Sequence, residues 1–167
     1  MAKQPKAEKT KSGPHLAAAF FCEMTLLDKD GAPSAIRLID NIEMMIDPSA
    51  PPDFPSDKQK IPINLNGLLC FKTGDSPGDH TLRLVMHSPT GKSSVVMEKS
   101  IPFTPMPQGG INVRLSFTIM VKSGGLFWLH VYLDGKRYTR MPLHISIQRA
   151  DAGSPTDNRL VVDNHCQ

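Results

Sequence analysis

The sequence predicts an all-β protein, folded as an antiparallel β-sandwich of about eight strands. Turn and loop signals rich in Gly, Pro and Asp recur along the central part of the chain at intervals that suit strands. Between these signals, apolar residues alternate with polar ones, which is the two-residue period of a strand with one face in a core. No segment has a convincing helical period, and 15 prolines in 167 residues disfavour long helices.

The turn signals separate eight segments, of which 111–122 is the clearest strand. Six odd-numbered apolar residues, from Ile111 to Val121, alternate there with mostly polar ones. Segment 15–27 is apolar on both faces, which predicts a central strand covered on both sides. The proline-rich stretch 48–57 is the one connection long enough to cross between sheets or to carry a function. The eight segments are 15–27, 34–47, 60–72, 80–87, 93–101, 111–122, 125–133 and 136–148.

The last two segments meet at Asp134-Gly135, which is a strong hairpin signal. A two-residue turn would place odd-numbered residues of one strand opposite even-numbered residues of the other. A three-residue loop from Leu133 to Gly135, with a bulge at the glycine, keeps odd opposite odd. We predict the three-residue loop because it gathers the apolar side chains on one face. These are Phe127, Leu129, Val131, Met141, Leu143 and Ile145.

In this register the outer side of the hairpin is a candidate partner-binding surface. The hairpin face is defined by six side chains that point away from the core: Trp128, His130, Tyr132, Tyr138, Arg140 and His144. Trp128 is predicted to lie opposite Arg140, and His130 opposite Tyr138, so a cation–π contact is expected. Trp, Tyr and Arg are enriched at interface hot spots, which favours partner binding. The alternative is that a tail or a crossing loop covers this face and makes it a second small core.

The charge distribution argues against a nucleic-acid partner. The net charge of +3 lies in residues 1–14, where four lysines accompany one glutamate, so the remainder of the chain is neutral. Nucleic-acid binding needs basic charge clustered on a folded face. We expect residues 1–14 to be a disordered basic tail, 15–148 the sandwich domain and 149–167 a flexible tail.

The cysteines and the hydropathy pattern bear on the cellular setting. Cys22, Cys70 and Cys166 are odd in number and far apart, which indicates buried thiols in a reducing compartment rather than a disulfide framework. No stretch reaches the roughly 20 apolar residues of a membrane span. We therefore expect a cytoplasmic protein with no membrane partner.

The sequence contains no catalytic signature, and we expect no enzyme activity, no cofactor and no metal. The histidines lack the spacing of metal ligands. Glu23 and Asp40 interrupt otherwise apolar strands, and an unbroken strand would point Asp40 into the core. A bulge at Asp40-Asn41, or a carboxylate that caps backbone amides, is the structural interpretation that we favour. A pair of perturbed carboxylates in a pocket is the alternative.

Three stretches carry a resemblance to a known family. They are His15-Leu-Ala-Ala-Ala-Phe-Phe-Cys-Glu followed by Asp30-Gly31 and Ser34-Ala-Ile-Arg-Leu-Ile-Asp, Gly78-Asp-His-Thr-Leu-Arg-Leu followed by Ser88-Pro89, and Phe127-Trp-Leu-His-Val-Tyr-Leu-Asp-Gly followed by Met141-Pro-Leu. Over roughly residues 15–148 the chain resembles an uncharacterised bacterial family of unknown function. The resemblance implies an immunoglobulin-like sandwich in a bacterial or phage protein, and it implies no activity, cofactor or catalytic residue.

These observations together predict a non-catalytic protein-interaction or assembly module of a bacterial or phage-derived system. Its partner would be another protein or a second copy of the chain, bound through the hairpin face or by addition of an edge strand. The alternative function is binding of a small, carbohydrate-like ligand, with Trp128, Tyr132 and Tyr138 as stacking platforms.

Overall fold

A computed structural model describes residues 13–104 and 110–150, which form strands, turns and loops. The described ranges contain no helix, so none there is long and apolar enough to cross a membrane. The predicted all-β class is confirmed. The strands are β1 (His15–Leu27), β2 (Pro33–Ile39), β3 (Asn41–Ile46), β4 (Ile61–Lys72), β5 (Gly78–His87), β6 (Ser93–Phe103), β7 (Gly110–Val121), β8 (Gly125–Leu133) and β9 (Lys136–Arg149).

The strands form two sheets that share one apolar core. The four-stranded sheet has the order β2-β1-β4-β7, and the five-stranded sheet has the order β3-β9-β8-β5-β6. Neighbouring strands are antiparallel except β3 and β9, which are parallel. Leu69 and Leu115 from one sheet and Leu84, Leu129 and Leu143 from the other are completely or almost completely buried. Each such side chain contributes about 1.5–3 kcal/mol through burial, so the alternating apolar residues hold the sheets together.

The predicted strand 34–47 is in fact two strands that belong to different sheets, and this raises the strand number to nine. β2 pairs with β1, whereas β3 pairs with β9. The chain changes sheets at Asp40, whose carbonyl accepts a hydrogen bond from the His144 amide at 2.8 Å. Asp40 is therefore exposed although its parity matches the core residues of an unbroken strand.

The proline-rich connection crosses between the sheets, as predicted. It follows β3 in the five-stranded sheet and precedes β4 in the four-stranded sheet. The guanidinium of Arg149 donates hydrogen bonds to four backbone carbonyls at the start of this connection. These bonds hold the connection against the end of β9. The four acceptors are Asp47, Pro48, Ala50 and Pro51, at 2.8–3.4 Å.

The β8–β9 hairpin has the predicted parity, but its turn differs from the predicted one. Leu133 pairs with Lys136, so the turn has two residues, Asp134 and Gly135, with φ of 49° and 77°. Positive φ at both positions is typical of the tight hairpin turns that favour Asp-Gly. A bulge at Tyr138 then restores the odd-to-odd pairing, because Val131 pairs with Thr139 and Tyr132 with Arg137. The predicted three-residue loop is wrong because the extra residue lies inside β9.

The expected tails lie mostly outside the described residues. Gly13 and Pro14 belong to the described part, and β9 continues to Arg149, one residue past the predicted end of the domain.

Candidate partner-binding face

Four of the six predicted residues lie together on the outer side of the five-stranded sheet. Trp128, His130 and Tyr132 alternate along β8 with core residues such as Leu129 and are half-buried. Arg140 lies on the same side of β9 and is exposed. The alternation therefore placed these side chains correctly, away from the core.

Arg140 stacks on the indole of Trp128. Its guanidinium carbon lies 4.4 Å from the ring centroid, which is a cation–π contact. The contact is diagonal, because Trp128 lies opposite Pro142, and His130 opposite Arg140. The predicted cross-strand partners are therefore wrong by two residues, since the turn is one residue shorter than predicted and the bulge adds one. Long side chains on diagonal positions are still within reach of each other, which is why the contact forms.

Tyr138 does not belong to this surface. The bulge turns it toward the end of the sandwich, where its ring meets the edge of Phe71 with centroids 6.0 Å apart. Its hydroxyl donates a hydrogen bond to the Pro14 carbonyl at 2.8 Å. The expectation that the tryptophan and both tyrosines share one face is therefore wrong.

His144 faces the same side of the sheet but is linked to its edge. It is exposed, and its Nδ1 lies 3.0 Å from Oδ1 of Asn41 on the edge strand β3. Pro142 lies between Arg140 and His144 on this face. His144 is thus at the periphery of the predicted surface.

His87 also belongs to the surface, although it was not among the six predicted residues. It pairs directly with Trp128 because β5 lies beside β8. Its ring stacks on that of His130, with centroids 4.1 Å apart and planes tilted by 35°. The parity of β5 would have shown that His87 points outward, since the buried Leu84 and Met86 fix its inner face. We define the Trp128 cluster by the five side chains His87, Trp128, His130, Tyr132 and Arg140.

The two histidines in the cluster have ring nitrogens without protein partners. His87 Nε2 and His130 Nδ1 are shielded from solvent, and neither nitrogen forms a hydrogen bond within the described part of the chain. A buried polar atom of this kind costs free energy unless a partner or solvent satisfies it. The cluster therefore contains two unsatisfied ring nitrogens, which lie beneath its surface beside a stacked cation.

Basic side chains surround His130 in the cluster. Burial lowers the pKa of His130, and the nearby charges of His87, Arg137 and Arg140 lower it further. Among the described residues, no ion pair includes Arg137 or Arg140, whereas Arg83 on β5 is paired with Glu98 at 3.5 Å. The two arginines next to His130 therefore keep their charge available to an external group.

Glu23 and Asp40 do not form a pocket, so the interpretation as paired carboxylates is wrong. The Glu23 carboxylate lies 3.3 Å from the guanidinium of Arg37, and both side chains are about half exposed. Asp40 is exposed where the chain changes sheets. Both carboxylates are open to solvent, whereas a catalytic pair would lie in a pocket.

One carboxylate–histidine pair is well formed, but its geometry is structural. His80 Nδ1 lies 2.6 Å from Asp134 Oδ2, and His80 Nε2 lies 3.0 Å from the Ser76 carbonyl. Asp134 Oδ1 also accepts the Thr81 amide at 2.8 Å. Both ring nitrogens of His80 are engaged, so no nitrogen is left to take a proton from a substrate. The pair fastens the β8–β9 turn to the start of β5.

The described thiols are unreactive in character. Cys22 is buried and Cys70 half-buried, both are free, and burial raises the pKa of each. Thiolate is the reactive form, so a raised pKa disfavours nucleophilic chemistry. Within the described ranges, no group of three or more His, Cys, Asp or Glu side chains is arranged to hold a metal ion.

A groove of about 520 Å³ opens between β6 and β7, the edge strands at one side of the two sheets. Its floor includes the buried Met86 and Phe127, and at its rim Lys122 forms an ion pair with Asp57 at 2.7 Å. Six hydroxyl side chains line it: Ser88, Thr90, Ser93, Ser94, Thr118 and Ser123. The lining is mixed, because apolar side chains such as Val96 and Met120 lie among the hydroxyls, and it includes none of the aromatic side chains of the predicted face.

The outer side of the four-stranded sheet is apolar along β1 and β2. Met24 pairs with Ile36 across the two strands, and these side chains are 49% and 44% exposed. Earlier in β1, Cys22 is buried. β1 is a central strand, as predicted, because it lies between β2 and β4, but both of its faces are buried only at Phe21 and Cys22, and its two ends are exposed.

Comparisons with known proteins do not assign a family. No family model matches the sequence, and no curated protein matches it. A β-glucosidase from Listeria innocua, solved in complex with glucose, is similar over 63% of this chain and 15% of its own, at 9% identity and a TM-score of 0.42. The alkylpurine DNA glycosylase of Pseudomonas fluorescens, bound to DNA containing an abasic site analog, is similar over 81% of this chain and 31% of its own, at 12% identity and a TM-score of 0.43. At these TM-scores neither similarity carries an argument about this chain.

Proposed function

We propose that this protein is a non-catalytic protein-interaction or assembly module and that the Trp128 cluster is its contact surface. The observation that carries the proposal is the stack of Arg140 on Trp128 on the outer side of a sheet whose inner side is core. A tryptophan held by a cation is a rigid anchor, and such residues supply most of the energy at interface hot spots. The stacked rings of His87 and His130 lie beside it and extend the same surface.

The geometry favours a protein partner over a sugar at this cluster. A sugar platform needs a free aromatic face, but Arg140 covers one face of Trp128. Tyr138, the third stacking platform of the sugar-binding alternative, points away from this face and packs against Phe71. A second candidate function, binding of a small polar ligand, is instead favoured by the groove between β6 and β7, whose six hydroxyls and volume of about 520 Å³ suit a ligand of that class.

The setting of the module is part of the same proposal. The free thiols of Cys22 and Cys70 support a reducing compartment such as the cytoplasm. A bacterial or phage-derived assembly is supported by the sequence resemblance alone. The partner is a different protein or a second copy of the chain.

The proposal is tested with the variant Trp128→Ala and the control Arg114→Ala, which alters an exposed position on the other sheet. Iodide quenching of Trp128 in the isolated monomer is measured first, because partner binding requires an accessible indole. The wild type and both variants are then compared in two experiments. One is chemical cross-linking in an extract of the cells that produce the protein, and the other is sedimentation over a range of protein concentrations. We expect the wild type and Arg114→Ala to share cross-linked products or a concentration-dependent mass that Trp128→Ala lacks.

Two results would overturn the proposal. One is a Trp128 that iodide cannot reach in the monomer, which would show that the cluster is a covered second core. The other is a set of products that survives Trp128→Ala. A thermal shift with glycans that is equal in wild type and Trp128→Ala would favour the groove and the small-ligand function instead.

A further inference from the structure

We propose that the Trp128 cluster binds an acidic protein segment, in which carboxylate side chains lie next to apolar ones. This inference rests on the proposed function and specifies the chemistry of the partner.

Basic side chains surround His130 from the neighbouring strands. β9 contributes Arg137 and Arg140, and β5 contributes His87 and Arg83, whereas the neighbour on its own strand is the uncharged Tyr132. The facing carboxylate on β6 is Glu98, and it is paired with Arg83. The surface therefore has two uncompensated guanidinium groups and two imidazoles within the same few residue positions, and a partner with the opposite charge is complementary to it.

The geometry of the arginine side chains also favours a carboxylate partner. A guanidinium offers parallel N–H donors that match the two oxygens of a carboxylate. Arg140 is already held against the indole, so binding costs less side-chain entropy than it would for a free arginine. Apolar contacts are available beside it, because Val85 lies next to His130 and pairs with Val95, which is 47% exposed. An acidic segment with apolar side chains would use both features.

The same features disfavour a nucleic acid. Binding of a duplex or a single strand neutralises several phosphates, and this face has two uncompensated arginines among the described residues. Stacking of bases needs open aromatic faces, and Arg140 already occupies one face of Trp128.

Proton binding should be coupled to partner binding at this site. His130, whose pKa is lowered by burial and by the neighbouring positive charges, adds positive charge as the pH falls, so affinity for an acidic segment should increase between pH 7.5 and about 5, above the range where carboxylates protonate. By reciprocity, a bound acidic segment raises the pKa of His130. This coupling distinguishes carboxylate recognition from contact by shape alone.

The test uses an array of short random-sequence peptides, probed with the full chain and its variants. We expect the bound peptides to be enriched in Asp and Glu next to apolar residues. One strong binder is then compared with its counterpart in which Asn and Gln replace Asp and Glu, and we expect the counterpart to bind about tenfold more weakly or worse. Arg137→Gln and Arg140→Gln should lose the preference for the acidic peptide, whereas Arg114→Gln should keep it. NMR titration of the imidazole protons should show a raised His130 pKa in the complex.

The inference fails if the bound peptides have no excess of Asp and Glu, if the array retains nothing, or if the amide counterpart binds equally well. It also fails if an oligonucleotide of random sequence binds more tightly than the acidic peptide through the same arginines. These outcomes are separable from the proposed function. Cross-linked products that depend on Trp128, together with no acidic preference, would leave the interaction module intact and remove only the acidic partner.

Discussion

The ion pair between His80 and Asp134 should stabilise the fold most strongly in mildly acidic solution. The perturbation is Asp134→Asn, which removes the charge and keeps an oxygen for the Thr81 amide. Asn also tolerates the positive φ of this turn position nearly as well as Asp, so the backbone should be undisturbed. Any loss of stability then reports the pair itself.

The expected magnitude follows from the exposure of the two partners. A hydrogen bond to a charged group contributes about 1.5–3 kcal/mol, and exposure to solvent reduces this. The His80 side chain is 13% exposed, but that of Asp134 is 52% exposed, so the lower part of the range applies. We expect Asp134→Asn to lower the free energy of unfolding by about 1–2 kcal/mol at pH 5.5, or to lower Tm by about 3–6 °C.

The pH dependence follows from the two pKa shifts. Burial opposes the charged form of His80, but the hydrogen bonds to Asp134 and to the Ser76 carbonyl outweigh it, so the pKa of His80 is raised. Its contribution is therefore complete below the ordinary histidine pKa and is lost as the pH increases through the raised value. Burial also opposes charge on Asp134, but the hydrogen bonds from His80 and Thr81 lower its pKa. Its contribution is present above the ordinary aspartate pKa and is lost as the pH falls through the lowered value.

Urea unfolding, followed by the fluorescence of Trp128 and by circular dichroism, measures the difference between wild type and variant at pH 5.5, 7 and 9. The difference should be largest at pH 5.5 and should decrease markedly by pH 9. Asp30→Asn is a matched control, because Asp30 forms a local turn hydrogen bond with the Ala32 amide that Asn can also accept. A difference for Asp134→Asn that is equal at pH 5.5 and pH 9, or larger at pH 9, would refute the reasoning.

Two further predictions concern a close approach of two backbones and a single hydrogen bond. Gly67→Ala should destabilise the protein by about 2 kcal/mol or more in urea unfolding, because its Cβ would lie 2.7 Å from the Phe20 carbonyl oxygen of the neighbouring strand. Gly91→Ala, where a Cβ meets no atom within 4 Å but φ is +80°, should cost only the local backbone strain of about 1 kcal/mol; an equal loss at both positions would contradict the steric explanation. Tyr138→Phe should lower the free energy of unfolding by about 1 kcal/mol, because it removes the hydrogen bond to the Pro14 carbonyl and keeps the ring. An unchanged stability would show that this contact does not hold the start of β1 in solution.

Local patterns in the sequence were sufficient for most strands and for part of the site. The two-residue alternation of 111–122 predicted β7 nearly residue for residue, because burial of one face depends on parity alone. The same parity placed Trp128, His130, Tyr132 and Arg140 on the outer side of their strands. Parity could not place Tyr138, because a bulge inside β9 reverses the alternation at this residue. The bulge has no distinct signal in the sequence.

The sequence by itself determined the all-β class, most of the turn positions and the core-facing side chains of the strongly alternating strands. Only the tertiary structure decided that the chain changes sheets at Asp40, that His87 lies beside Trp128 and that Arg140 stacks on the indole. The physical reason is the range of the interactions. Alternation and turn preferences act between residues close in the chain, whereas strand neighbours form through backbone hydrogen bonds between distant segments, such as β3 with β9 and β5 with β8.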